Sequence, residues 1–165
     1  MKGSFPSIER VWVYASPRPF TEAEIQKIHQ ATKAFLTDWA DHGVLLQSDY
    51  DLLYDRFIIL RGKNPQGRVD GCAIDSSIHF MQQLGAELGI NLIDRMTFYY
   101  LKDGKAHSVS REDLPKLINT SEIDENTLFF NTLVQTKDDY EQKWLIPFKD
   151  HWVKRLLPSS VVLGS

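Results

Sequence analysis

The four residues Phe57-Ile58-Ile59-Leu60 constrain the fold of this chain more than any other stretch. An unbroken apolar run of this length is typical of a central strand that is covered on both faces. The preceding residues, from Leu46 to Tyr54, alternate between apolar and polar and predict a half-buried strand. We therefore expect these two strands to be neighbours in one sheet, with the apolar run inside it.

Helices flank this pair of strands in the sequence. Residues 8–14 predict a strand, and Thr21 with Glu24 forms a capping box that predicts the start of a helix. We expect this helix to end near Gly43, a residue type suited to the position after a helix. A second helix is predicted from about Ser76 to Leu88. The order β-α-β-β-α-β matches a ferredoxin-like arrangement.

The second half of the chain predicts smaller elements. Residues 96–109 are typical of a hairpin turning at Asp103-Gly104, and a short helix is expected over 113–119. A strand over 127–134 and a helix capped by Thr136 follow. We predict an α+β fold with a mixed or mostly antiparallel sheet and helices on one face. A ferredoxin-like βαββαβ core with C-terminal additions is one form of it, and another mixed-sheet topology is the alternative.

The length of 165 residues fits one domain, which we place over 1–158 with a loose tail over 159–165. The formal charge of −3 provides no general attraction for nucleic acid or for an anionic membrane. No signal peptide and no apolar run of about 18 residues is present, so we expect a cytoplasmic protein with neither kind of partner. The chain contains no phosphate loop and no paired metal ligands, and we therefore predict no cofactor and no metal.

The segment from Asp70 to Ser77 is the strongest candidate for a functional site. It contains Cys72, the only cysteine, where a strand is predicted to turn into a helix and to expose free N–H groups. Asp75 is predicted to cap that helix, and a capping carboxylate opposes both phosphate binding and activation of a thiol. Because cysteine is among the most buried residue types, the composition favours a packed Cys72 over a nucleophile.

We predict a domain that binds a small molecule or a protein partner beside this turn. The first alternative is a cysteine-dependent hydrolase using Cys72, which needs a histidine base. The second is an oligomeric structural or interaction module, including a homodimer. We expect His42 to lie at the end of the first helix, and most tryptophans to be buried or half-buried. The predicted binding residues are Gly71, Cys72, Asp75, Ser76, His42, Trp39 and Asn131.

Several segments distributed along most of the chain, from about Trp12 to Arg155, carry a resemblance to a known family. They are Trp39-Ala40-Asp41-His42-Gly43, Arg56-Phe57-Ile58-Ile59, Gly71-Cys72-Ala73-Ile74-Asp75-Ser76-Ser77, Phe130-Asn131-Thr132-Leu133-Val134 and His151-Trp152-Val153-Lys154-Arg155. Together they resemble a family of small uncharacterised bacterial proteins, some of which carry the label "ABC transporter ATPase". That label requires a phosphate loop of the form GxxxxGK[ST], which this sequence lacks. The resemblance therefore implies a family and no activity.

Overall fold

The structure, a computed structural model, describes residues 9–157. The predicted tail over 159–165 lies outside the described residues. The elements in chain order are β1 (Arg10–Ala15), α1 (Glu22–Thr37), β2 (Ala40–Asp41), β3 (Val44–Leu45), β4 (Gln47–Leu53), β5 (Phe57–Lys63), α2 (Gly71–Leu88), β6 (Thr97–Lys102), β7 (Lys105–Ser110), α3 (Leu114–Asn119), β8 (Leu128–Phe130), α4 (Lys137–Lys143), β9 (Leu145–Pro147) and two 3₁₀ helices, Phe148–Asp150 and Trp152–Leu156. No helix within 9–157 is long and apolar enough to cross a membrane.

The first sheet contains three antiparallel strands in the order β1-β5-β4. β5 lies in the centre, where Ile59 pairs with Val13 on one side and Ile58 pairs with Leu52 on the other. The side chains of Phe57 to Leu60 are fully buried. The prediction of a central strand covered on both faces is confirmed, and so is the α+β class.

The ferredoxin-like order is present in β1, β5 and β4 but does not continue to a fourth strand. β6 leaves the first sheet and joins a second antiparallel sheet, in the order β7-β6-β8-β9. The place beside β1 is taken for a short distance by a later segment of the chain. The Val11 N–H donates to the Gln135 carbonyl at 3.0 Å, and the Lys137 N–H donates to the Glu9 carbonyl at 3.0 Å.

The two sheets pack face to face between two layers of helices. α1 and α2 cover one face of the first sheet, where Met81 packs with Leu60. The opposite face packs against the second sheet, and Ile59, Tyr99 and Phe130 lie in the apolar layer between them. α3 and the 3₁₀ helices cover the outer face of the second sheet. We predicted helices on one face of a single sheet, whereas a second sheet provides the other covering layer.

Several predicted helix ends and turns are confirmed. The capping box of Thr21 and Glu24 begins α1, and Gly89 ends α2 with a φ of 70°. Asp103 and Gly104 both have positive φ values in the tight turn between β6 and β7. The Thr136 side chain accepts a hydrogen bond from the Asp139 N–H at the start of α4. These signals act within a few residues, which is why they are readable without the rest of the fold.

The predicted end of α1 is wrong. The helix stops at Thr37, and residues 40–45 form a small hairpin of β2 and β3. His42 and Gly43 are the two turn residues of this hairpin, with φ values of 51° and 82°. Two successive positive φ values are the signature of the tight turn that suits a two-residue hairpin. Gly43 therefore serves a hairpin rather than a helix end, and His42 does not lie on α1.

Candidate functional site

The helix at the predicted site begins earlier than expected. α2 starts at Gly71 with Asp70 as its N-cap residue, so Asp75 is inside the helix and does not cap it. The Asp70 side chain makes no capping bond either. Instead, the Asp70 N–H donates to the Asp41 carboxylate at 2.7 Å, across a sequence distance of 29 residues. A contact from the β2–β3 hairpin therefore holds this end of α2, and local sequence cannot reveal such a contact.

The prediction that Cys72 is packed is also wrong, because its side chain is exposed. Gly71 and Asp75 are exposed beside it, and the Ser76 hydroxyl donates to the Ala73 carbonyl within the helix. Among residues 9–157, the Cys72 sulfur has no histidine within hydrogen-bonding distance. The predicted hydrolase requires that pair. These four predicted binding residues therefore lie on the solvent-facing surface of the first turns of α2.

Trp39 and His42 are neighbours of this helix end, as predicted, but they lie on different sides of it. Trp39 is buried, and its indole N–H donates to the Ala73 carbonyl at 3.0 Å. His42 is exposed, with its Nε2 atom 3.9 Å from Asp41 Oδ1 and 3.9 Å from Asp70 Oδ2. Asp41 Oδ1 is buried and makes no hydrogen bond. Trp39 thus contacts the helix from the protein interior, while the His42 imidazole lies on the exposed side.

Asn131 lies in a different part of the molecule. It follows β8, and its side-chain oxygen accepts the Leu133 N–H at 3.2 Å to form a turn. This turn ends β8 at Phe130, before the predicted limit of Val134. Asn131 lines a cavity with basic residues of the C-terminal segment, among them Lys149 and Arg155. The predicted set therefore divides into an exposed helix end and a separate basic cavity.

A cleft that the sequence did not predict runs along the outer edge of β1. It consists of two adjoining cavities of about 70 Å³ and about 250 Å³. We call it the β1 cleft, and it extends from α2 to the loop before β6 and to the turn after β8. The residues that line both cavities are Val13, Tyr14, Arg95, Thr132 and Leu133. The two cavities together lie at the lower end of the range of roughly 300–1,000 Å³ that is typical of small-molecule sites.

The cleft exists because the chain beside β1 turns away from it. The Val11 N–H is bonded to Gln135, and it therefore points away from β5. Backbone groups alternate along a strand, so the N–H groups of Val13 and Ala15 point to the same outer edge. On the N-terminal side of Gln135, the neighbouring segment forms the turn at Asn131, and there it lies away from the edge of β1. A strand edge with outward N–H groups consequently lines the cleft.

Two side chains that line the smaller cavity each carry a buried polar atom without a hydrogen-bond partner. They are Tyr99 and Trp152, whose Oη and Nε1 atoms are buried and unpaired. Burial raises the pKa of Tyr99 well above its usual value, and the phenol therefore stays protonated. An indole N–H only donates, and a protonated phenol also donates. Buried groups of this kind normally have partners, so both atoms require an explanation.

Arg95 adds a positive charge to the same cleft. Its side chain is exposed and forms no ion pair with a carboxylate among residues 9–157. The adjacent Asp94 is already engaged, because it accepts hydrogen bonds from the Met96 N–H and the Thr97 hydroxyl. The Tyr14 hydroxyl is paired with Ser77 at 2.7 Å. The free groups of the cleft are therefore mainly hydrogen-bond donors and one cation.

Sequence reasoning missed Arg95 and Tyr99 because nothing local distinguishes them, and it placed Trp152 among the buried or half-buried tryptophans. Tyr99 belongs to the apolar run of β6, where its burial between two sheets depends on strand pairing. The one readable signal was the loop after Gly89, which separates α2 from β6 and carries the Asp94-Arg95 pair. Loops between rigid elements often carry binding residues.

Within residues 9–157, no three His, Cys, Asp or Glu side chains are grouped so that they could hold a metal ion. Comparisons with protein-family models, with curated proteins and with solved structures found no match for this chain. The geometry of the β1 cleft and its unpaired donors are therefore the basis on which a function is inferred.

Proposed function

We propose that this protein is a binding domain whose ligand site is the β1 cleft. The observation that carries the proposal is the pair of buried, unpaired donors, Tyr99 Oη and Trp152 Nε1, in the lining of one cavity. A ligand that accepts hydrogen bonds from both would remove the cost of leaving them unpaired. The site remains close to the predicted segment, because Ile74 and Ile78 of α2 line the larger cavity.

The lining indicates a small ligand with an apolar body and a carboxylate-like end. Val11, Ile74 and Ile78 provide apolar surface in the larger cavity. The donors of the smaller cavity and the Arg95 guanidinium suit an anionic acceptor, since charge-assisted hydrogen bonds are the stronger kind. We expect the carboxylate to occupy the Tyr99 end and the apolar body to extend toward α2.

A matched pair of variants tests this proposal without knowledge of the natural ligand. Tyr99→Phe removes an unpaired hydroxyl, so the free energy of unfolding should stay constant or rise by about 1 kcal/mol. Tyr14→Phe removes a buried bond to Ser77 and should lower it by about 1 kcal/mol. Chemical denaturation measures both. An equal loss in both variants would show that Tyr99 Oη is already satisfied.

Binding itself is tested with a set of small aliphatic and aromatic carboxylic acids, followed by amide NMR of the whole chain. We expect shifts at Val13, Ala15 and Leu133, and about tenfold weaker binding in Tyr99→Phe. Shifts centred on Cys72 and Asp75 instead would return the site to the exposed end of α2. The absence of binding by any acid of the set would contradict the proposed ligand class.

A protein partner is the second candidate, because apolar side chains are exposed at the edge of the cleft. Leu133 is 48 % exposed, and Met96, which follows Arg95, is 57 % exposed. Exposed apolar surface beside a strand edge is typical of interaction sites, including homodimers. Sedimentation at micromolar concentration tests self-association, and a monomer that persists in Leu133→Ser and wild type alike would exclude it.

The cytoplasmic location stays a prediction.

A further inference from the structure

Another cavity, separate from the two that form the β1 cleft, is strongly basic. It has a volume of about 490 Å³ and lies where α4, β9 and the two 3₁₀ helices meet the end of β8. We call it the basic pocket. Its charged lining residues are Lys143, Lys149, Asp150, Lys154 and Arg155. Trp152 lines both this pocket and the β1 cleft, so the two sites share this residue.

The cations of this pocket are largely unneutralised. Lys149, Lys154 and Arg155 form no ion pair among residues 9–157, and Lys143 has only a long contact of 3.9 Å to Asp139. Four cations and one carboxylate therefore surround a concave surface, in a chain whose formal charge is −3. Charge of one sign in a cleft concentrates the electrostatic potential there. The pocket attracts anions although the whole protein does not.

The backbone that carries these cations is held in place. The Lys149 N–H donates to the Glu125 carbonyl at 3.1 Å. His151 is buried, and its two ring nitrogens bond the Phe130 carbonyl and the Val153 N–H at 3.2 and 3.0 Å. These bonds fix both 3₁₀ helices against β8 before any ligand arrives. A preorganised site loses less entropy on binding than a flexible one.

We infer that the basic pocket binds the phosphate groups of a small molecule. Lysines act as point charges toward phosphate, and Arg155 supplies a planar donor that bonds two phosphate oxygens at once. The Asn131 amide N–H₂ remains available as a donor, because its oxygen is the atom used in the local turn. The half-buried Trp152 ring provides an apolar wall for the remainder of the ligand.

The shape of the pocket favours a compact phosphate compound over nucleic acid. A nucleic-acid surface presents a basic stripe or face that follows a long backbone. Here the cations converge on one cavity whose volume lies within the usual range for small ligands. An acidic segment of a protein is the remaining competitor, and the experiment separates the two.

Inorganic pyrophosphate is the probe, titrated into the full chain by calorimetry and by amide NMR. We expect shifts at residues 149–155 and at Asn131. Affinity should fall at least about tenfold when the ionic strength rises from about 0.01 M to 0.15 M, because the screening length shortens from about 30 Å to about 8 Å. Absence of binding at the lower ionic strength would overturn the inference.

Two triple variants distinguish pyrophosphate binding in the basic pocket from diffuse attraction to positive charge elsewhere on the surface. Replacing Lys149, Lys154 and Arg155 by Gln should weaken pyrophosphate binding at least about 100-fold, since each charge-assisted bond contributes at least a few-fold. The control variant replaces Lys33, Arg68 and Lys105 by Gln, and these three exposed cations lie outside the pocket. The control should change pyrophosphate affinity less than about threefold.

Both triple variants alter exposed side chains, and circular dichroism should show native folding in each. Equal losses in the two would overturn the inference in favour of diffuse attraction. Binding of a polyglutamate peptide in preference to pyrophosphate would also overturn it, in favour of an acidic protein segment. Tyr99→Phe should leave pyrophosphate affinity unchanged, so failure here and failure of the β1 cleft are distinguishable.

Discussion

The beginning of α2 and the β1 cleft differ in where their polar groups lie. The helix end has a thiol, an imidazole and several carboxylates, and Cys72, His42, Asp70 and Asp75 among them are exposed to water. The cleft has ordinary strand and loop residues, yet Tyr99 and Trp152 have buried atoms without partners. In the sequence, the start of α2 therefore stands out as the candidate site, because it contains the chemically reactive residue types. We propose the ligand site in the β1 cleft because two residues that line it carry buried polar atoms without partners.

The largest expected effect concerns the glycines at the two ends of α2. A Cβ atom on Gly85 would clash with the Ile90 carbonyl oxygen, whereas one on Gly71 would meet nothing within 4 Å. Gly85→Ala should lower the free energy of unfolding by about 3 kcal/mol, because backbone must move. Gly71→Ala should change it by less than about 1 kcal/mol. Denaturant titration compares them, and a neutral Gly85→Ala would show that the cleft wall after Gly89 is loosely held.

The second effect depends on pH and concerns His151, which fixes the segment that carries Trp152. Burial lowers the pKa of His151 to about 4, against about 6.5 in an unfolded chain. Between these values the unfolded chain binds more protons, so the free energy of unfolding rises with pH. The contribution, up to about 3 kcal/mol, is complete above about pH 6.5 and is lost as the pH falls through 4.

His151→Gln isolates this effect from other titrating groups. The variant should lose most of the pH dependence between 4 and 6.5, whereas His79→Gln, which changes an exposed histidine, should retain it. Unfolding followed by tryptophan fluorescence at several pH values provides the comparison. An unchanged slope in His151→Gln would show that this histidine takes up a proton while the segment remains folded.

The third effect tests whether Trp39 is structural or belongs to a binding surface. Trp39→Phe removes the bond to the Ala73 carbonyl and part of a buried ring, and should cost about 2 kcal/mol. Trp12→Phe, at a half-buried neighbour that contacts Trp39 edge to face, should cost about 1 kcal/mol. Ligand affinity at the β1 cleft should change little in Trp39→Phe. Lost affinity without lost stability would restore Trp39 to the site.

The smallest effect is expected at Cys72. Because its side chain is exposed, Cys72→Ser should change the free energy of unfolding by less than about 0.5 kcal/mol. Iodoacetamide should label the native protein about as fast as the urea-unfolded protein. Labelling that requires unfolding would contradict the exposed position. Loss of ligand binding in Cys72→Ser would move the site from the β1 cleft to the helix end.

The predictions that failed at the candidate site have one physical origin. The start of α2 depends on Asp41, whose carboxylate bonds the Asp70 N–H from another element. Cys72 is exposed because α2 presents another face to the sheet. That face carries Ala73, which is buried, and leaves Cys72 outside. Asn131 was predicted to share a site with Cys72, but the sequence carries no information about the distance between the two residues. Each error concerned a contact between residues far apart in the sequence.

The sequence by itself determined the features that depend on neighbouring residues. These include the capping box of Thr21, the Asp103-Gly104 turn, the end of α2 at Gly89 and the burial of Phe57 to Leu60. Only the tertiary structure decided that β6 pairs with β8 instead of β1, and that Gln135 lies beside Val11. The β1 cleft results from those pairings. Sheet partners are chosen by the packing of the whole chain, and local propensity does not encode that choice.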